Sequence, residues 1–426
     1  MKLSAHVLCE LEDILENRDR RFLVLYSGGL DGSYFLQWAR EQQLDVTALH
    51  VAFTDGDADR ARRNAALLNT PILVEDGTEK FANDFVAAAI HTNAWYQGLF
   101  PVGSTLSRPL MAEIAARVAE DLDCDVVVHT STFMQNTAMR LGLALLSLAP
   151  NLGVAAPFTR TTLTRGEKMA ALDGLPLDLG ANARYSVDAN PWARVIENDT
   201  LEDPELILPD AGVFLWTREL EDTPATADDL SIEFDEGLPY AVDGVAMPLA
   251  EIVGALNERG GAQGVGRHVG LESLNPSGLK NHEIREAPAA TLITLAHRTL
   301  ESAVFTDDEL TMKSLIDTKA TALAVGGDWF GVLATALRSA STQLDEASTG
   351  RVRIRMHRGQ ATVVAKSSPN GLYYHRFGDQ FAEMMRRTSV AEQLSLASLP
   401  NRLRVTNHQS SGATQLGPSL MGAVSQ

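Results

Sequence analysis

Residues 27–33 read Ser-Gly-Gly-Leu-Asp-Gly-Ser, between the apolar run "RFLVLY" and the helical pattern "SYFLQWAREQQ". Gly28 and Gly29 at such a strand-to-helix junction let several backbone N–H groups converge on one anion. Ser27 and Ser33 add hydroxyl donors, and the helix N-terminus adds a favourable dipole. Asp31 has no use as a phosphate contact on its own. It fits if magnesium lies between its carboxylate and a pyrophosphate, or if it braces the loop by accepting backbone N–H bonds. The string is neither GxxxxGK[ST] nor GxGxxG, so the expected phosphate site belongs to neither of those two loop types.

Such a loop needs a rigid sheet behind it. Over the first 175 residues short β-rich runs alternate with helical patterns. "DVTALHVAF" precedes "DADRARRNAALLN", "PILVED" precedes "NDFVAAAIHTNAW", and "RPLMAEIAARVAEDL" leads to "DVVVHTS". "LGVAAPF" then precedes "RGEKMAALDG". Strands separated by helices of this length predict crossover units, hence a parallel sheet with helices on both faces. Ligands of such sheets bind beyond the carboxyl ends of the strands. The Ser27–Ser33 loop and "HTSTFMQN" both follow strands, so both are expected at that edge.

Beyond about residue 176 the rhythm changes. "LSIEFDEGLPYAVDGV" and "GRVRIRMHRGQATVVAKS" read as hairpins, the second with Arg-Gly at its turn. Between them "PLAEIVGALNERGGAQGVGRHVGLESL" reads as a helix and a glycine-rich turn, fitting an α+β second part. The Ser/Gly/Gln-rich end, "NHQSSGATQLGPSLMGAVSQ", reads as a disordered tail. The opening 21 residues, with acids alternating with leucines, read as a surface helix without a signal core.

Composition narrows the classes. The formal net charge of −19 argues against a nucleic-acid partner, because such partners demand gathered positive charge. Cys9 and Cys124 are the only cysteines, which excludes a cysteine-built zinc site or a disulfide scaffold and fits a reducing compartment. His50, His268, His282 and His297 show no metal-ligand spacing, so no protein-bound metal centre is assigned. No stretch reaches the ~20 apolar residues of a membrane span. These features describe a cytoplasmic chain with no membrane partner.

"SGGLDGS" resembles the phosphate loop of the ATP pyrophosphatases, which split ATP into AMP and pyrophosphate. That resemblance implies ATP with magnesium, and nucleotide contacts from Tyr26, Ser27, Gly28, Gly29, Leu30, Asp31, Gly32, Ser33 and Val51. Among its branches, thiolation needs reactive cysteines and the glutamine-dependent synthetases need an amidotransferase segment; neither is evident. From about residue 20 to residue 375 the chain resembles argininosuccinate synthases. Four ordered strings beyond the loop carry this: "HTNAWYQGLFPVGSTLSRPLMAE", "YSVDANPWARVIENDTLEDP", "GAQGVGRHVGLE" and "EAPAATLITLAHRTLE". The resemblance implies a doubly wound, Rossmann-like N-type ATP pyrophosphatase domain over 1–175 and an α+β synthetase domain over 176–375. It further implies a C-terminal oligomerisation segment over 376–426 and a homotetramer.

In that family ATP adenylates the ureido oxygen of citrulline, and the amine of aspartate displaces AMP. Positioning and charge neutralisation are the main demands on the protein. The resemblance places Asp31, Ser33, Arg108 and Asn136 in the catalytic set. Arg108 and Arg140 match substrate-side arginines, suited to a carboxylate; Glu197 and Glu272 match glutamates suited to an α-ammonium group. Ser186 matches a substrate serine, and Thr132 and Asn136 match residues where the two substrates meet. Asn136 and Arg140, four apart, should share one helix face.

Departures cluster around the two substrates. The family's "HGATGKGND" is "HTSTFMQNT" at residues 129–137, with Phe133, Met134, Gln135 and Thr137 replacing glycine, lysine, glycine and aspartate. Phe100 stands for a tyrosine, Thr105 and Val195 for serines, Arg285 near a further tyrosine, and Gly32 for the loop threonine. Filled-in glycines forbid the same close backbone approach, so the second-substrate pocket needs a different shape. The expected activity is an ATP-dependent carbon–nitrogen ligase joining a citrulline-like amino acid, or another carbonyl compound, to an amine, with altered specificity. The rivals are argininosuccinate synthase itself and a non-catalytic nucleotide-binding protein.

Overall fold

Alternate residues of a strand face opposite sides of a sheet, and in this chain both sides are apolar. Phe22, Val24 and Tyr26 join one buried cluster, whereas Leu23 and Leu25 join another. The same division holds for Val126 and Val128 against Val127. The computed structural model describes residues 7–54, 56, 58–132, 136–179, 185–206, 212–274, 276–395 and 398. The strands concerned are β1 (Val7–Leu8), β2 (Arg21–Leu25), β3 (Asp45–Ala52) and β4 (Ile72–Asp76). After the short hairpin β5 (Trp95–Tyr96) and β6 (Phe100–Pro101) come β7 (Val126–Val128) and β8 (Gly153–Ala155). All except the hairpin form one parallel sheet in the order β1-β8-β7-β2-β3-β4.

From β2 the chain crosses to β3 on one side, while β7 pairs with β2 on the other. The carboxyl ends of β2 and β7 therefore flank a switch point, where open α/β sheets leave a crevice. The Ser27–Ser33 loop and Thr130 meet there: a Cβ on Gly32 would lie 3.8 Å from Thr130 Oγ1. The common edge expected from the sequence is thus present.

The amino-terminal segment differs from expectation. Its described part is not one surface helix but strand β1, paired with β8, followed by the helix Leu11–Glu16. Asp13 Oδ2 accepts from the backbone N–H groups of Cys9 and Glu10 at 2.7 and 3.0 Å, which starts the helix there. The expected helix after β4 is a composite of Thr78–Lys80, the π-helical turn Phe81–Val86 and Ala87–His91.

The second part holds two antiparallel sheets. One comprises β9 (Ser186–Asn190), β10 (Ala193–Glu197), β14 (Arg267–Ser273) and β15 (Lys280–Glu286), in the order β14-β15-β10-β9. The other comprises β11 (Asp228–Asp235), β12 (Leu238–Val242), β13 (Val245–Ala246), β16 (Gly350–His357) and β17 (Gln360–Ser367), ordered β13-β12-β11-β16-β17. Both sequence-read hairpins are present. The Arg358-Gly359 turn takes positive φ at both residues, 46° and 78°, as a two-residue hairpin of this hand requires. Leu230, Ile232, Val352 and Ile354 pack in one core with Leu292, Ile293 and Leu300 of the helix Pro288–Val304.

That helix also borders a buried ionic core. Lys313 Nζ lies 2.9 Å from Glu301, 3.0 Å from Asp317 and 3.7 Å from Asp345. His297, Glu301 and Asp345 are close enough to share a metal ion, but the Lys313 ammonium already supplies the positive charge. The chain forms two compact units, Met1–Gly371 and Leu372–Gln426. The described part of the second contains the helix Tyr374–Arg387. The tail read as disordered lies outside the described residues from 399 onward.

Candidate active site

Tyr26 extends β2 by donating its N–H to Leu49 O at 2.8 Å, and the chain then turns sharply. Gly28 takes φ +78°, and a Cβ there would lie 3.0 Å from Ala61 N, so the turn is closed to side chains. The carbonyl of Ser27 accepts from Arg60 Nη2 at 3.2 Å, and that of Gly28 from Asn64 Nδ2 at 2.9 Å. In a trans peptide the N–H points opposite to the carbonyl of the same plane. The N–H groups of Gly28 and Gly29 therefore point away from the helix Asp59–Leu67, toward the open side of the loop. The helix Leu30–Glu41 starts there, and its first-turn N–H groups have no intrahelical acceptors. This is an anion cradle built of backbone.

Side chains hold its shape. Ser33 Oγ and Tyr26 OH lie 2.8 Å apart, both buried, and His50 Nδ1 lies 2.9 Å from Tyr26 O. A Cβ on Gly32 would fall 2.7 Å from Tyr26 Cδ2, so the ring occupies the space that a larger residue 32 would need. Leu30 and Val51 are both buried, Val51 in the core cluster that also holds Leu23 and Leu25. Asp31 stands in the first turn of the helix, and its Oδ1 accepts from Lys168 Nζ at 2.7 Å. Arg60, Asn64 and Lys168 are the supporting residues that the sequence did not single out.

A second cluster gathers side chains from six elements. Asn136 caps the helix Thr137–Leu148, whose first turn carries Arg140. Both reach Glu272 Oε1: Asn136 Nδ2 at 2.7 Å, and Arg140 Nη2 as an ion pair. Arg140 also donates to Ser104 Oγ at 2.9 Å and to Val325 O at 3.1 Å. Strand pairing sets Val195 opposite Arg285, and Glu272 opposite Asn281. Arg285 Nη2 reaches Glu272 Oε2 at 2.8 Å and also binds Glu283, while Nη1 donates to Pro101 O at 2.9 Å. Arg108 holds Asp188 bidentately at 3.2 and 2.8 Å. Glu197 Oε2 accepts from Asn281 at 2.7 Å.

These charges already answer one another. Burial alone would raise the Glu272 carboxyl, but Arg140, Arg285 and the Asn136 amide hold it down at about 2. Glu283 is pushed above the usual carboxylate range by burial, which Arg285 opposes and the Glu272 charge reinforces. The space between them is a cavity of about 30 Å³, lined among others by Arg108, Asn136, Thr137, Arg140, Val195 and Glu197. That is the room of a water molecule or so.

Other expected residues lie around this cluster. Phe100 is buried, with the Arg285 guanidinium 4.1 Å above its ring centroid and Tyr96 stacked at 5.4 Å. Thr105 is buried with Oγ1 unpartnered among the described residues, and Ser186 begins β9 opposite Glu197. Thr132 is half-buried, and Phe133, Met134 and Gln135 lie outside the described residues. Asp188, Asn281 and Glu283 were not singled out. The signal was there: Asn281, Glu283 and Arg285 alternate along β15 and so share one face. A larger cavity of about 830 Å³ adjoins the site through Tyr96, Ser273 and Val325.

His129 directly follows β7 and is fully buried, with Nδ1 unpartnered among the described residues. Burial, reinforced by the Arg108 charge, holds its pKa down at about 4; burial and then Arg285 do the same for His268. Both rings are neutral in the folded protein at pH 7, whereas unfolded they take up a proton at about 6.5. Folded stability is therefore lost as pH falls from about 6.5 toward 4, by at most about 3 kcal/mol per ring. The raised carboxyls of Glu283 and Asp317 act in the opposite sense, so a variant must isolate the effect. His268→Gln should retain a partner for Thr291 and lose about 2 kcal/mol of the stability difference between pH 7 and pH 5. Urea midpoints at the two pH values test this, and equal pH dependence in both proteins would refute it.

Residues 21–174 match the arginosuccinate synthase N-terminal HUP domain, and residues 185–391 the arginosuccinate synthase C-terminal domain. The chain belongs to the argininosuccinate synthase family. It is 37% identical over 358 residues to an argininosuccinate synthase from Rubrobacter xylanophilus, covering 83% of this chain and 87% of that protein. Argininosuccinate synthases from Staphylococcus carnosus and Pyrobaculum aerophilum are each 35% identical, covering 83% and 85% of this chain and 88% and 92% of theirs. The chain is thus a member of a family of ATP-using ligases. Among its described residues no helix is long and apolar enough to cross a membrane.

Proposed function

We propose that this member is an AMP-forming carbon–nitrogen ligase whose substrates are not citrulline and aspartate in the family's manner. A carbonyl or ureido oxygen attacks the α-phosphorus of ATP and expels pyrophosphate. An amine then attacks the activated carbon, AMP leaves, and the nitrogen gives up a proton. The phosphate loop supports the first half: its glycines, backbone N–H groups and Asp31 fit a pyrophosphate with magnesium. One Asp31 carboxylate oxygen, Oδ2, is unpartnered among the described residues and suits the metal.

The altered specificity rests on the Arg285–Glu272–Glu283 cluster. Both Glu272 oxygens are already engaged by guanidinium and amide groups, so the carboxylate expected to receive an ammonium group is charge-balanced without one. An electrophile must displace part of this network or present groups that match it as it stands. A second reading, synthesis of argininosuccinate itself, is favoured by the names of the curated relatives at 35–37% identity. By family resemblance the working assembly is a homotetramer, testable by sedimentation velocity.

Pyrophosphate release over a panel of carbonyl substrates and amines tests the reading. Aspartate is expected to be a poor amine, because Thr137 is neutral where the family has a carboxylate. Losing one charge-assisted hydrogen bond weakens binding by ~1.5–3 kcal/mol, roughly ten- to a hundredfold. Efficient use of citrulline with sub-millimolar aspartate, ahead of every other pair, would establish the second reading instead. Tight ATP binding without release from any pair would favour a non-catalytic nucleotide-binding protein.

A further inference from the structure

Lys168 sits where its charge is costly. It belongs to the helix Arg165–Ala171, which begins with a reciprocal Thr164/Glu167 capping box, and its side chain is only 4% exposed. A lysine on a short surface helix can run its stem along apolar surface and leave the ammonium in water. Here Nζ instead turns beneath the phosphate loop, 2.7 Å from Asp31 Oδ1 and 4.2 Å from the Phe158 ring centroid. Burying an ammonium costs several kcal/mol, and an apolar residue of similar size docks a helix as well or better. Helix docking therefore does not explain a charge at this position.

The carboxylate shows what the charge does. The Asp31 side chain is 38% exposed; Oδ1 faces Lys168, and Oδ2 is unpartnered among the described residues. An ammonium fixed by packing and by an aromatic face favours one rotamer of Asp31, in which Oδ1 is engaged and Oδ2 has no partner among the described residues. Outer partners of metal-ligating carboxylates act in this way, orienting the ligand without touching the metal.

We propose that Lys168 is a positioning residue that presents Asp31 Oδ2, and only that oxygen, to the magnesium of a bound nucleotide. The inference rests on the ATP reading above. It concerns a pair 137 positions apart in the sequence, joined only by the fold.

Calorimetric titration of the full chain with a non-hydrolysable ATP analogue, at stepped magnesium concentrations, tests it. Lys168→Met should raise the magnesium concentration for half-maximal nucleotide binding about tenfold, the usual effect of losing an outer-shell partner. Lys168→Arg should recover part of the loss. The melting temperature of Lys168→Met should stay level or rise, because an apolar residue replaces a buried ion-pair partner. Unchanged magnesium dependence in Lys168→Met overturns the proposal, as does tighter dependence, which would make the lysine a competitor of the metal. Wild-type nucleotide binding that ignores magnesium also overturns it while leaving the ATP reading in place. A wild-type chain that binds no nucleotide removes both.

Discussion

Asp31→Asn is expected to abolish turnover while leaving the protein folded. The amide keeps the shape of the carboxylate and can still accept from Lys168 through its oxygen, so the loop retains its geometry. What disappears is the anionic oxygen ligand that the magnesium of a bound nucleotide would use. Losing a group that acts in the transition state costs about 3 kcal/mol or more, a hundredfold in rate. The effect on folding is small by comparison. Asp31 is partly exposed, and a first-turn acid contributes only ~0.3–1 kcal/mol through the helix dipole. Pyrophosphate release should therefore fall a hundredfold with a melting temperature within a few degrees of wild type. Near-wild-type release would take Asp31 out of the mechanism.

The loop could be read from sequence because its requirements are local. Positive φ at Gly28 and the start of a helix at Leu30 are decided within a few residues, so glycine placement reveals them. The parallel strands were equally legible: buried on both faces, they read as short unbroken apolar runs. Strand β1 was not. Two residues make no pattern of their own, and Val7–Leu8 is a strand only because β8 lies beside it. The substrate cluster was legible residue by residue through family resemblance, but its electrostatics were not. Arg140, Glu272 and Arg285 each suggest a ligand contact in isolation. Their mutual neutralisation depends on the register of β10 against β15 and of β14 against β15, which the sequence does not print. Lys168 was hidden for the same reason, its partner lying at the far end of the nucleotide domain's sequence.

Arg285→Met should be among the most destabilising single changes in the chain. The side chain is 2% exposed and shared by Glu272 and Glu283, with a third bond to Pro101 O. Removing one partner of a buried ion pair typically costs 3–5 kcal/mol, because the surviving charge stays desolvated. The two glutamates do not suffer equally. Glu272 keeps Arg140 and Asn136, whereas among the described residues Glu283 keeps a 3.4 Å hydrogen bond from Asn281 and the more distant Arg140 charge. Most of the cost therefore sits on Glu283, already the carboxyl that burial pushes upward. The double variant Arg285→Met/Glu283→Gln should regain the larger part of the lost stability, giving a favourable coupling of about 2 kcal/mol or more. Methionine is shorter than the Arg285 it replaces and forms no ion pair with Glu272 or Glu283, which line the narrow cavity with Val195, so the double variant should accept bulkier electrophiles than wild type in the pyrophosphate-release panel. Urea unfolding of the four proteins in the cycle supplies the energies. Strict additivity of the two substitutions, or a single Arg285→Met within about 1 kcal/mol of wild type, would show that Arg285 and Glu283 are not energetically coupled in the fold.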